Sequence, residues 1–145
     1  MELENLVYLL RNQAVLNIHC YKVVDLEMAI RVAKEFGIKI ASFHHAAEAH
    51  YMPQQLIENN ITVGTLYSPS TIGWIQTPNT IYTALFVDNW GFKMESYRAS
   101  VHAPRLLAAA GVKVALKTDH PVINNRDLLY QAQKAAHWGL EENDA

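Results

Sequence analysis

A chain of 145 residues, 50% apolar and only 18% charged, has the material for one globular domain with a real core. Its 12 Lys and Arg against 14 Asp and Glu leave a formal charge of −2 with no basic block, which argues against a nucleic-acid partner. No apolar run approaches the roughly 20 residues that span a bilayer, and MELENLVYLL lacks the basic start of a secretory signal, so the expectation is a cytoplasmic protein with no membrane partner.

Leu3, Leu6, Val7 and Leu10 fall at helical spacing, and VLNIHC at 15–20 then has the pattern of a strand with a polar tip. Asp25 is placed to cap a helix whose inward face carries Leu26, Ala29, Ile30 and Ala33, and Gly37 is placed to end it. IKIASFHH at 38–45 follows as a second strand. Pro53 suits the first turn of a helix through Leu56 and Ile57, Asn59 and Asn60 can stop it, and ITVGTLY at 61–67 is expected to be a third strand. From Ser68 the rhythm breaks: some thirty residues mix Pro, Gly and Asn with aromatics, the pattern of an elaborate functional loop with room for one short element. Periodicity returns where Pro104 opens a helix that Gly111 ends; VKVALKTD at 112–119 is a fourth strand, and Asn124 or Asn125 starts a last helix ending near Gly139.

Four strands, each followed by a helical pattern, call for parallel pairing with right-handed crossovers, as in a doubly wound sheet or part of a barrel. In both architectures ligands gather beyond the carboxyl ends of the strands. There the sequence places His19, then His44 and His45, then Asp119 followed by His120. A single histidine at a strand end is usually a packed, hydrogen-bonded residue. Repetition at equivalent tips shifts the balance, because neighbouring strands lie about 5 Å apart and their ends can converge on one ion. Two imidazoles and a carboxylate suit zinc or a similar divalent metal. Cys20 is the only cysteine, so no cysteine cluster competes for that role.

NIHCYKVVDLEMAIRVAKEFG, ASFHHAAEAHYMPQQL, DNWGFKMESYRASVHAPRLLAAAG and VALKTDHPVINNRDLLYQAQKAAHWGL together resemble the later half of metal-dependent amidohydrolases, above all a group of large fungal amidohydrolases related to imidazolonepropionase-like enzymes. The resemblance implies an α/β fold of parallel strand-helix units, about half of a (β/α)8 TIM-type barrel covering strands five to eight, with residues 1–145 forming one internal, partial domain. It makes His19 the fifth-strand metal ligand, His45 the sixth-strand ligand and Asp119 the eighth-strand carboxylate that binds metal and handles the proton of the attacking water. His44 precedes the ligand position, and a register slip of one residue exchanges the two. His120 is expected to line the substrate pocket and Arg126 to steady the turn behind it. The implied reaction is hydrolysis of an amide or cyclic amide C–N bond in a small-molecule substrate, with one or two ions in an intact enzyme. The first-strand His-x-His and the fourth-strand bridging ligand have no counterpart in these residues, so the isolated chain is expected to be inactive or weakly active.

Around these positions, Trp74, Trp90 and Phe92 can wall a substrate or simply pack within the loop, and Lys93 and Arg98 can meet an anion or remain solvated. His50, His102 and His137 need no special function. A competing reading is a non-catalytic half-barrel whose open edges pair with a second copy or with a missing half-barrel, as an assembly or binding module. A nucleotide-binding sheet is disfavoured, since no G-x-G-x-x-G or Walker-type loop follows any strand.

Overall fold

A computed structural model of the chain describes residues 3–59, 82–87 and 90–144. Its helices are α1 (Glu4–Leu10), α2 (Val23–Phe36), α3 (Pro53–Glu58), α4 (Ala103–Ala109) and α5 (Leu128–His137). Its strands are β1 (Leu16–Cys20), β2 (Ile40–His45), β3 (Tyr82–Leu85) and β4 (Val114–Leu116), hydrogen-bonded in the order β1-β2-β3-β4. All three pairings are parallel. The expected strand at 61–67 lies outside the described residues, as do Asn60 and Trp74. The third position in the described sheet is held by β3, from the stretch whose composition suggests a loop. Four residues in a run of Thr, Tyr and Ala give too little alternation to stand out from their surroundings.

The β1–β2 register separates two faces. Ile18 lies opposite Phe43, and both join the core with Leu26, Ile30 and Ala33 of α2, Leu56 of α3 and Leu107 of α4. On the other face Asn17 lies opposite Ser42, whose hydroxyl donates to the Asn17 side-chain oxygen, and His19 lies opposite His44. A parallel sheet covered by apolar layers on both sides carries near-continuous Val, Ile and Leu. These two strands instead alternate, which leaves a polar face opposite the helix-covered one. A second small cluster of Val87, Ala135 and Leu140, with Leu116 against it, seats α5.

Helix ends follow the sequence signals with one exception. Gly37 adopts a left-handed conformation (φ 64°) and Ile38 N–H returns to the Ala33 carbonyl at 2.8 Å, which closes α2. Pro53 occupies the first turn of α3, and Asn124 accepts the Arg126 N–H at 3.2 Å ahead of α5. Asp25, however, sits inside the first turn of α2 and is not its cap. The helix begins at Val23, and the Val23 N–H donates at 3.0 Å to Glu48 Oε2, a buried carboxylate that arrives from beyond β2. Opposite the positive end of a helix, a carboxylate both satisfies an orphan donor and meets the dipole. Arg98 stands 3.8 Å from the other carboxylate oxygen, a half-exposed pair that adds little.

Replacing Glu48 by Ala therefore leaves the α2 N-terminus uncapped within the core. Urea unfolding is expected to show a loss of about 2 kcal/mol, the range for a buried hydrogen bond to a charged group. An unchanged midpoint would remove Glu48 from the framework.

Candidate functional site

The polar face ends in three imidazoles. In a regular strand His44 and His45 point to opposite sides of the sheet. Here the backbone leaves the extended region at His45 (φ 69°) and Ala46 (φ 39°), and both imidazoles come into ring contact with His19. His19 and His44 stack with centroids 4.6 Å apart, and His19 Nδ1 lies 2.9 Å from His45 Nε2. Two nitrogens that close share one proton, so one ring donates and the other accepts. His45 is only 7% exposed, sandwiched between Tyr21 at 4.5 Å and Phe86 at 5.6 Å. The left-handed turn is held from β1: Ala46 N–H donates to the Cys20 carbonyl at 2.8 Å and Glu48 N–H to the Tyr21 carbonyl at 2.9 Å.

At the far edge of the sheet, Asp119 is also left-handed (φ 53°), and its Oδ1 pairs with Lys117 Nζ at 3.2 Å. Burial pushes Asp119 up, but the close Lys117 ammonium and the His45 and His19 rings prevail and hold the carboxyl below its ordinary range. Lys117 is itself lowered by burial, against the opposing pull of Asp119. Burial, then the Lys117 charge, lowers His44 and takes His45 down to about 4. At neutral pH His44 and His45 are thus neutral imidazoles beside an ionised Asp119, the protonation states that donate to a metal.

The structure brings together His19, His44 and His45 and puts Asp119 within electrostatic reach of them. Trp90 is 65% exposed, His120 is exposed, and Arg126 pairs with Asp127 at 3.5 Å; among the described residues none of the three has a hydrogen bond, ion pair or ring contact with the histidine trio. Among the described residues no cluster of three His, Cys, Asp or Glu is tight enough to hold a metal by itself, so the fit is to two converging nitrogens with a carboxylate nearby. Lys117, Tyr21, Phe86 and Glu48 belong to the surroundings of the site without having been singled out by sequence. Only Lys117 carried a signal: it stands two residues before Asp119 and so shares its side of a strand. No helix among the described residues is long and apolar enough to cross a membrane.

No family model matches the chain. It is 34% identical over 140 residues to the amidohydrolase tasK of Hapsidospora irregularis, an alignment that covers 97% of this chain and 13% of that protein. It also superposes on the crystal structure of an amidohydrolase from Thermotoga maritima MSB8 with a TM-score of 0.73 and 27% identity, over 95% of this chain and 31% of that one. The chain carries an amidohydrolase-superfamily segment. That segment spans a small part of either relative.

The depressed His45 sets a pH dependence for the amidohydrolase segment. Below its ordinary value of 6.5 the unfolded chain takes up a proton that the folded one refuses down to about 4. Stability is then complete above that window and falls with pH inside it, by at most about 1.4 kcal/mol per pH unit. Metal-free protein unfolded in urea at pH 7 and pH 5 should show the fall, and His45→Asn should flatten it. An equal slope in the variant would assign the effect elsewhere.

Proposed function

We propose that this segment supplies metal-binding and proton-handling groups to a hydrolase that opens amide or cyclic amide C–N bonds in a small-molecule substrate. The observation that carries the reading is the His19 Nδ1 and His45 Nε2 pair, 2.9 Å apart on the polar face at the carboxyl ends of parallel strands. That end is where barrel enzymes build their sites. In this reading β1 to β4 are strands five to eight of a (β/α)8 barrel, and the polar face of β1 and β2 is the barrel interior. His19, His45 and Asp119 would hold a divalent metal such as zinc, together with donors from the first and fourth strands of the barrel.

When bound, such an ion lowers the pKa of a coordinated water toward neutrality and polarises the scissile carbonyl. The chain's own part is proton transfer and orientation. Lys117 keeps Asp119 ionised, ready to accept the water's proton and return it to the departing nitrogen. The buried stack of Tyr21, His45 and Phe86 fixes one imidazole in place, which saves the entropy of ordering it at each turnover.

Zinc titration of the isolated chain by calorimetry tests the pair, with His19→Ala and His45→Ala each expected to weaken binding by about 10-fold or more. In a longer protein with the complete barrel, Asp119→Asn should lower kcat for cyclic amide hydrolysis by about 10²- to 10⁴-fold. Zinc affinity indifferent to both histidines, or turnover indifferent to Asp119, would defeat the reading.

A second reading rests on its own observation. Helix α1 buries none of its residues, Leu3, Leu6 and Leu10 are 68%, 47% and 46% exposed, and β1 and β4 stand at the edges of the described sheet. A half-barrel that self-associates through these surfaces is a binding or assembly module without turnover. Light scattering separates the two, because a chain that stays monomeric at high concentration does not assemble this way.

A further inference from the structure

His45 has two ring nitrogens, and the proposed function uses only one. Nε2 faces His19, while Nδ1 is buried without a hydrogen-bond partner among the described residues. A ring that presents a lone pair at Nε2 must carry its proton at Nδ1, and that N–H requires an acceptor.

Directly behind His45 lies a small cavity between β2, the segment after β3 and the start of α4, bordered by Tyr21, His45, Phe86, Ser96, Ser100 and Ala103 among others. For the centre of a water molecule its free volume is about 10 Å³, the space of one water. Ser96, in the 3-10 turn Met94–Ser96, is 1% exposed, and its hydroxyl is the second buried polar atom there without a partner. Its backbone is committed elsewhere, with the N–H donating to the Lys93 carbonyl at 2.9 Å and the carbonyl accepting from Ala99 N–H at 3.0 Å. The Ser100 hydroxyl accepts the His102 N–H at 3.2 Å and keeps its own proton to donate. One cavity of one-water size is therefore bordered by the two residues that carry buried orphan groups, His45 and Ser96, and by Ser100. A buried water typically makes about three hydrogen bonds, and leaving two such groups unsatisfied is costly.

We propose that this cavity is a binding site for a single ordered water that links His45 Nδ1–H to the Ser96 hydroxyl, making Ser96 a positioning residue that fixes the tautomer of His45. The water accepts from Nδ1–H and donates to Ser96 Oγ, whose own proton remains free for a neighbour. Nε2 is then a lone-pair donor, and His19 Nδ1–H donates to it across the 2.9 Å contact. The water site stands on this geometry, and the direction of the tautomer rests on the proposed function, in which Nε2 offers its lone pair. Their consequence for metal affinity rests on the proposed function.

The test is long-range proton–nitrogen NMR on 15N-labelled, metal-free chain at pH 7.5. Wild type is expected to show His45 protonated at Nδ1, with cross-relaxation from its ring to a long-lived water. Ser96→Ala should mix the two tautomers, with Nδ1–H falling at least about 2-fold, and should weaken zinc binding about 10-fold. His45 protonated at Nε2 in wild type, or a tautomer unaffected by Ser96→Ala, would overturn the proposal. Should the variant fail to fold, the wild-type tautomer and the water cross-relaxation decide the matter by themselves. A tautomer shift in a chain that binds no zinc upholds the water site and sinks the metal reading, so the two ideas fail separately.

Discussion

Parallel pairing of β1 with β2 puts Ile18 opposite Phe43 and His19 opposite His44, and the rest of the structure depends on that register. A slip of one residue would turn Phe43 to the polar side and the histidines into the core. The register is therefore fixed by burial on one side while it assembles chemistry on the other. Phe43 and Leu26 are fully buried, so the apolar side supplies the free energy that holds the polar side in order. Helices gather on the Phe43 side, and the Asn17–Ser42 and His19–His44 rungs form a polar floor.

Backbone strain is concentrated where that floor ends. His45, Ala46 and Asp119 all have positive φ without being glycine, a state that costs of order 1–3 kcal/mol per residue. The gain at β2 is that two successive histidines serve one site, which an extended strand forbids. The cost is met by the surroundings: Ala46 is fully buried, its N–H is bound to Cys20, and Glu48 anchors the turn to α2. The same carboxylate that starts a helix thus fixes the angle at which His45 leaves its strand.

Much of this was legible in the sequence, and the reasons differ from element to element. Strands VLNIHC and IKIASFHH were visible as short runs rich in Val and Ile that end in polar tips, and α2 because its apolar residues recur at helical spacing before a glycine. The convergence of His19 with His45 followed from equivalent strand ends. Three things were hidden. β3 is too short to carry a period. Glu48 caps a helix 25 residues before it, so a search for local caps settles on Asp25 instead. Ser96 sits in a segment whose sequence has no period at all, and only its burial beside His45 gives it meaning.

Charge at the strand ends is arranged as opposites in sequence. Lys117 pairs with Asp119, and its ammonium also reaches the histidines, where it opposes protonation. One lysine therefore sets two protonation states at once: it favours the carboxylate and disfavours the imidazolium. A proton acceptor and neutral imidazole donors normally make conflicting electrostatic demands, since a bare carboxylate beside histidines would raise their affinity for protons. A cation that acts on both, as Lys117 does, resolves the conflict.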